Sequence, residues 1–147
     1  EYSDFVKEAL TVKELKHYVT QVMTTIAKEI DDTVNSSEVK EQSVMIEKAK
    51  HYIAEHLSEK ITLRMISEHV YLSETYFSFL FKKVTGVTYM DYIQDVRMQE
   101  AKKLLTDTNH KVYKVAELIG YSDYKYFSLQ FKKYVNMTPK EYRNLRR

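Results

Sequence analysis

Apolar residues along most of this chain recur every three or four positions, the spacing that gives a helix one buried face. Between Asp4 and Asp32, Phe5, Val12, Val19 and Ile26 stand seven residues apart, with Leu15 and Val22 interleaved between them. This is a heptad seam. Glu8 and Glu29 fall where the seam calls for apolar side chains, so three readings stay open: a long coiled coil, a short dimer contact, or a helix docked elsewhere. Thr33, Asn35, Ser36 and Ser37 are small and polar, and they predict a break or hinge before the next helix.

From Met45 the pattern shortens into compact helices. Met45, Ala49, Tyr52, Ile53 and Leu57 mark one apolar face, Leu63, Ile66 and Val70 a second, and Phe77, Leu80, Phe81 and Val84 a third. Gly86 is placed to end the third helix as a C-cap. Thr88 with Asp91 resembles a capping box built on a shorter acid, opening a long helix to about Leu105 with the face Ile93, Val96, Ala101, Leu104 and Leu105. Val112, Val115, Ala116 and Ile119 predict a fifth helix, and Phe127, Phe131, Tyr134 and Val135 a sixth. Thr138, Pro139 and Glu141 supply the N-cap, first-turn proline and N3 acid of a last one.

Composition narrows this picture to helices. Two glycines and one proline leave little material for hairpins or phosphate-cradling loops, and the absence of cysteine excludes disulfides, Cys-ligated zinc and a thiol nucleophile. No apolar run approaches the roughly 18 to 20 residues of a membrane span, and no signal-peptide pattern opens the chain, so a cytoplasmic, membrane-free protein is expected. The net charge of +2 hides an asymmetry. Residues 45–147 hold 18 Lys/Arg against 12 Asp/Glu, whereas residues 1–44 hold 5 against 9. The basic part is the expected polyanion binder.

An internal repeat sharpens that expectation. Tyr76, Phe77, Ser78, Phe81, Lys82 and Lys83 recur fifty residues later as Tyr126, Phe127, Ser128, Phe131, Lys132 and Lys133, and Thr88 and Tyr92 recur as Thr138 and Tyr142. Eight of the 17 positions from 76 to 92 are identical, where unrelated sequences give about one. Upstream the offset falls to 49, pairing Glu68 with Glu117 and Ser73 with Ser122, which predicts one extra residue at the start of the second copy's later helix. Each copy reads as two short helices joined by a turn. The outward positions of the later helix are Glu74, Thr75, Ser78, Phe79 and Lys82 in one copy and Asp123, Lys125, Ser128, Leu129 and Lys132 in the other.

These motifs, with Gly86, Val115-Ala116, Gly120-Tyr121-Ser122 and Thr138-Pro139 through Glu141-Tyr142-Arg143, resemble the AraC/XylS family of bacterial transcription regulators over about residues 45–147. The resemblance implies an all-α, seven-helix domain over residues 44–147. Its two helix-turn-helix units, about 62–86 and 112–136, are joined by a long helix and preceded by a helical linker or dimerisation segment over residues 1–43. It implies a double-stranded DNA partner, with base-facing positions at Thr75, Ser78, Phe79, Lys125, Tyr126 and Leu129. Phosphate contacts are expected at Tyr76, Lys82, Lys83, Lys132 and Lys133. Many members carry Arg where Phe79 and Leu129 stand. Those two side chains either pack on thymine methyls or are tucked against the domain or a partner.

Residues 1–10 resemble the final helix of a receiver domain, which implies the output half of a two-component response regulator, with the phosphorylated Asp before Glu1 and a sensor kinase as partner. A homodimer through residues 5–30 and a contact with RNA polymerase are further expected partners. The five histidines show no zinc-helix spacing and the paired acids no catalytic setting, so neither an enzyme, a metal nor a cofactor is expected. A second reading remains, a protein-interaction module in which Phe79 and Leu129 form an apolar docking patch.

Overall fold

A computed structural model describes the backbone of residues 2–146 and the side chains of residues 12 and 14–146. The side chains of Phe5 and Glu8 lie outside the described residues. Among the described residues seven helices follow in order: α1 (Tyr2–Glu55), α2 (Leu63–His69), α3 (Glu74–Thr85), α4 (Tyr89–Asp107), α5 (Val112–Leu118), α6 (Tyr124–Val135) and α7 (Pro139–Arg146). No strand occurs among the described residues. The chain divides into two compact units, Glu1–Glu41 and Gln42–Arg147.

The expected hinge at Thr33 to Ser37 is absent, because α1 runs through it. No glycine or proline interrupts residues 1–62. The Thr33 hydroxyl donates to the Glu29 carbonyl at 2.6 Å and the Ser36 hydroxyl to the Thr33 carbonyl at 2.8 Å. These side chains bond back along the helix instead of competing with it.

Gln42–Arg147 contains two apolar clusters. The first gathers Ile46, Ala49 and Ile53 from the end of α1, Ile66 and Val70, Phe77, Leu80 and Phe81 from α3, and Ile93 from α4. The second gathers Met98, Ala101 and Leu105 from α4, Val115, Ala116 and Ile119, and Phe127 and Phe131 from α6. Ile46 and Met98 escaped the sequence-derived faces, and Val84 and Tyr134 were placed on those faces yet are exposed. The two halves therefore repeat more than a helix-turn-helix. Ile46, Ala49 and Ile53 match Met98, Ala101 and Leu105 in spacing, so α4 ends the first repeat and opens the second.

Caps explain the boundaries. Gly86 closes α3 in the left-handed conformation at φ 81°, and Asn136, fifty residues on, closes α6 at φ 60°. Both suit a position that other residues avoid. The extra residue of the second copy lies in its turn: α3 and α6 are each 12 residues long, and the N-cap matching Ser73 is Asp123, not Ser122. At α4, Thr88 Oγ1 accepts from the Asp91 N–H at 3.1 Å and donates to Asp91 Oδ2 at 2.6 Å. At α7 the acid is one methylene longer and completes the box. Thr138 Oγ1 accepts from the Glu141 N–H at 3.2 Å, and the Thr138 N–H donates to Glu141 Oε2 at 2.7 Å.

That N–H holds the Glu141 carboxyl below its ordinary value of 4.5. A depressed carboxylate stabilises the fold above its unfolded pKa and loses that contribution as pH falls through the folded value. Wild type should accordingly lose more thermal stability than Glu141→Gln between about pH 6 and about pH 3. Parallel loss in the two proteins, read by circular dichroism, would contradict the box.

Candidate nucleic-acid interface

A helix of 12 residues is marginal in water by itself, so α3 and α6 depend on what holds their inner faces. Phe77 and Phe81 lie one turn apart and fully buried, with ring centroids 5.6 Å apart; Phe127 and Phe131 repeat this at 5.7 Å. Each pair is closed edge-on by a tyrosine from the next helix, Tyr92 on Phe81 at 5.4 Å and Tyr142 on Phe131 at 5.5 Å. With the inner face pinned, the opposite face must point outward.

On α3 that outward face carries Thr75, Tyr76, Phe79, Lys82 and Lys83, all exposed, with Ser78 half-buried beside them. On α6 it carries Lys125, Tyr126, Leu129, Lys132 and Lys133, also exposed, with Ser128 half-buried. The large apolar side chains are unburied in this chain, Phe79 at 61% and Leu129 at 67% exposure. Tyr76 leans on Phe79, 6.5 Å between centroids, whereas Tyr126 leans on Tyr121 at 6.1 Å. Lys83 Nζ reaches Gln42 Oε1 of α1 at 3.4 Å, and Ser128 Oγ donates to the Tyr124 carbonyl at 2.8 Å. The lysine pairs lie in the last turns of their helices, where the helix dipole favours cations.

The N-termini are secured differently. Ser73 Oγ accepts from the Tyr76 N–H at 3.3 Å, while Asp123 Oδ1 accepts from Lys125 at 2.8 Å and Tyr126 at 3.3 Å. In the turns before them, Tyr71 (φ 59°) and Gly120 (φ 84°) occupy matching left-handed positions.

A family model described as "Helix-turn-helix domain" matches residues 66–145. Among solved structures, the C-terminal domain of the two-component response regulator yesN from Fusobacterium nucleatum is 42% identical. The match covers 66% of this chain and 95% of that one, with a TM-score of 0.63. This chain belongs to the AraC/XylS helix-turn-helix family. The C-terminal domain of AraT, a response regulator from Geobacillus stearothermophilus, is 32% identical over 69% of this chain and 85% of that chain, with a TM-score of 0.67. YisR of Bacillus subtilis, described as an uncharacterized HTH-type transcriptional regulator, is 40% identical over 97 residues, 66% of this chain and 34% of its own length. The chain spans about a third of the length of the curated relatives it matches.

Sequence reasoning missed the polar contacts that tie this AraC-type domain together behind its outward helices. Gln94 Nε2 donates to Gln130 Oε1 at 3.2 Å, the Tyr134 hydroxyl donates to Asp95 Oδ1, and Gln99 Nε2 donates to the Tyr134 hydroxyl at 3.1 Å. The bond to Asp95, ahead of partial burial, raises the Tyr134 pKa. The signal was present in the repeat: Leu80 becomes Gln130 and Val84 becomes Tyr134 where α6 meets α4. Among the described residues no cluster of His, Asp or Glu is arranged to hold a metal, and no helix is long and apolar enough to cross a membrane.

The backbone assignments carry a stability test. Tyr71 is 95% exposed and has little packing to lose, so Tyr71→Gly should gain about 1 kcal/mol by relieving the left-handed strain. Asp123→Ala should lose about 1 kcal/mol with its two N–H partners. Urea midpoints unchanged in either variant would remove the assigned role.

Proposed function

We propose that this chain is a sequence-specific, double-stranded DNA-binding transcription regulator and the output half of a two-component response regulator. The observation that carries the reading is the duplicated outward face: Tyr76, Ser78, Lys82 and Lys83 on α3 match Tyr126, Ser128, Lys132 and Lys133 on α6, each over a buried Phe pair. Thr75, Ser78 and Phe79 of α3 and Lys125, Tyr126 and Leu129 of α6 are the proposed base readers. Tyr76, Lys82, Lys83, Lys132 and Lys133 are the proposed phosphate contacts. With apolar side chains at 79 and 129, thymine methyls are the favoured targets there, and A/T-rich sites are expected. The activity is binding, with RNA polymerase as the proposed downstream partner.

Two of the similar solved proteins are C-terminal domains of response regulators, which supports a receiver domain before residue 1 and a sensor kinase acting on it. Residues 1–43 are then the linker. Val12, Leu15, Val19, Val22 and Ile26 form an exposed apolar stripe on α1, and a second copy of this chain is its proposed partner. Sedimentation equilibrium should show a dimer that Val19→Asp combined with Ile26→Asp converts to monomer. A parent chain that stays monomeric at every concentration would overturn the dimer.

Selection from random duplexes, followed by a salt titration, tests DNA binding. If about six to ten phosphates are neutralised, affinity should fall by about 10³ to 10⁵ between roughly 50 and 200 mM salt. Lys132→Glu should weaken binding to all sequences alike and flatten the salt slope by about one phosphate equivalent. Failure of the wild type to retain any duplex would instead favour Phe79 and Leu129 as a protein-docking patch, the reading that their exposure also permits.

A further inference from the structure

The two apolar clusters of Gln42–Arg147 share no residue. Apart from the shared helix α4, apolar burial therefore ties neither half to the other. The helix α4 joins them, contributing Ile93 to the first and Met98, Ala101 and Leu105 to the second. Beside the Gln94–Gln130 and Asp95–Tyr134 contacts, the halves meet at Arg97.

Arg97 lies on α4 between Ile93 and Met98. Its Nη2 donates to the Glu59 carbonyl at 2.9 Å and the Leu57 carbonyl at 3.4 Å, both in the segment between α1 and α2. Its Cζ also lies 5.5 Å from the ring centroid of Tyr121, in the turn between α5 and α6. One guanidinium thus touches the first half, the second half and the helix between them. Partial burial lowers the Arg97 pKa and raises that of Tyr121, as expected for a half-buried cation and phenol.

Gly120 completes the junction. A Cβ there would stand 2.3 Å from the Leu57 carbonyl oxygen and 2.6 Å from Arg97 Nη2. Its counterpart in the first turn, Tyr71, has the same left-handed backbone and carries a whole phenol into solvent. The backbone is alike in both turns; what differs is the opposing half of the domain. Beside the junction lies a cleft of about 600 Å³, lined by Ser58, Lys60, Ile61, Glu117 and Ser122 as well as Arg97.

We propose that Arg97, seated against Gly120 and Tyr121, is a positioning residue that sets the distance and angle between α3 and α6. It thereby sets the half-site spacing the protein accepts, without touching DNA itself. The second clause rests on the duplex-binding reading above; the first does not.

Because the chain has no cysteine, Lys82→Cys with Lys132→Cys places one spin label on each outward helix. In the DNA-free protein the label-to-label distances should form one narrow distribution. Arg97→Met, which keeps the stem and removes the donors, should broaden it at least about twofold while helical circular dichroism is retained. If Arg97→Met does not fold, Arg97→Lys, which keeps the charge but not the fork, should broaden the distribution in its place. On the duplex recovered by selection, and with Lys82 and Lys132 retained, inserting one base pair between the half-sites should cost the parent about tenfold or more and Arg97→Met less than about threefold. Affinity for a single half-site should be equal in the two.

A distribution as narrow as the parent's in either variant, with the spacing penalty intact, would reduce Arg97 to a stabilising contact and overturn the proposal. If no duplex is retained by any variant, the DNA reading fails while the distance measurement still decides the role of Arg97.

Discussion

Everything the outward helices present depends on two phenylalanines buried one turn apart beneath each of them. Phe77 with Phe81, and Phe127 with Phe131, are fully buried, and each such side chain contributes about 1.5 to 3 kcal/mol of burial. That anchors helices too short to persist alone. Tyr92 and Tyr142 lock the pairs edge-on from the following helices, so anchoring comes from one helix further along the chain. The opposite faces bear none of this load. Phe79 in one copy and Leu129 in the other can differ because neither helix is held by them.

The same economy governs α4. At 19 residues and 1.5 Å per residue it rises about 28 Å, long enough to serve one cluster with its first turns and the other with its last. Sharing a helix couples the halves in sequence but leaves rotation between them weakly determined, because no apolar cluster crosses the boundary. Polar contacts fill that gap: Gln94 with Gln130, Asp95 with Tyr134, and Arg97 with the carbonyls of Leu57 and Glu59. Such contacts are directional where apolar burial is not, and direction is what two helices addressing one surface require.

Much of this was legible in the residues. The faces ending at Gly86 and opening at Thr88 and Thr138 placed three boundaries, since capping chemistry is local and depends only on neighbours. The repeat likewise exposed both outward helices. The expected hinge at Thr33 to Ser37 failed because a small hydroxyl serves equally to end a helix or to bond back along it, and sequence does not say which. Ile46 and Met98 were overlooked for a different reason. Each is one of several apolar residues at helical spacing, and only packing shows which of them reaches the centre.

Sequence alone determined the helices from α2 onward, the caps at Gly86, Thr88 and Thr138, and the duplication that makes α3 and α6 counterparts, since period, cap and repeat are properties of the linear order. Tertiary structure decided what the two turns became. Tyr71 and Gly120 hold equivalent places with one backbone conformation, and nothing in their immediate neighbours explains why one bears a phenol and the other only hydrogen. The answer lies some sixty residues upstream and twenty away on α4, in the Leu57 carbonyl and Arg97 guanidinium that fold against the second turn and leave no space for a Cβ.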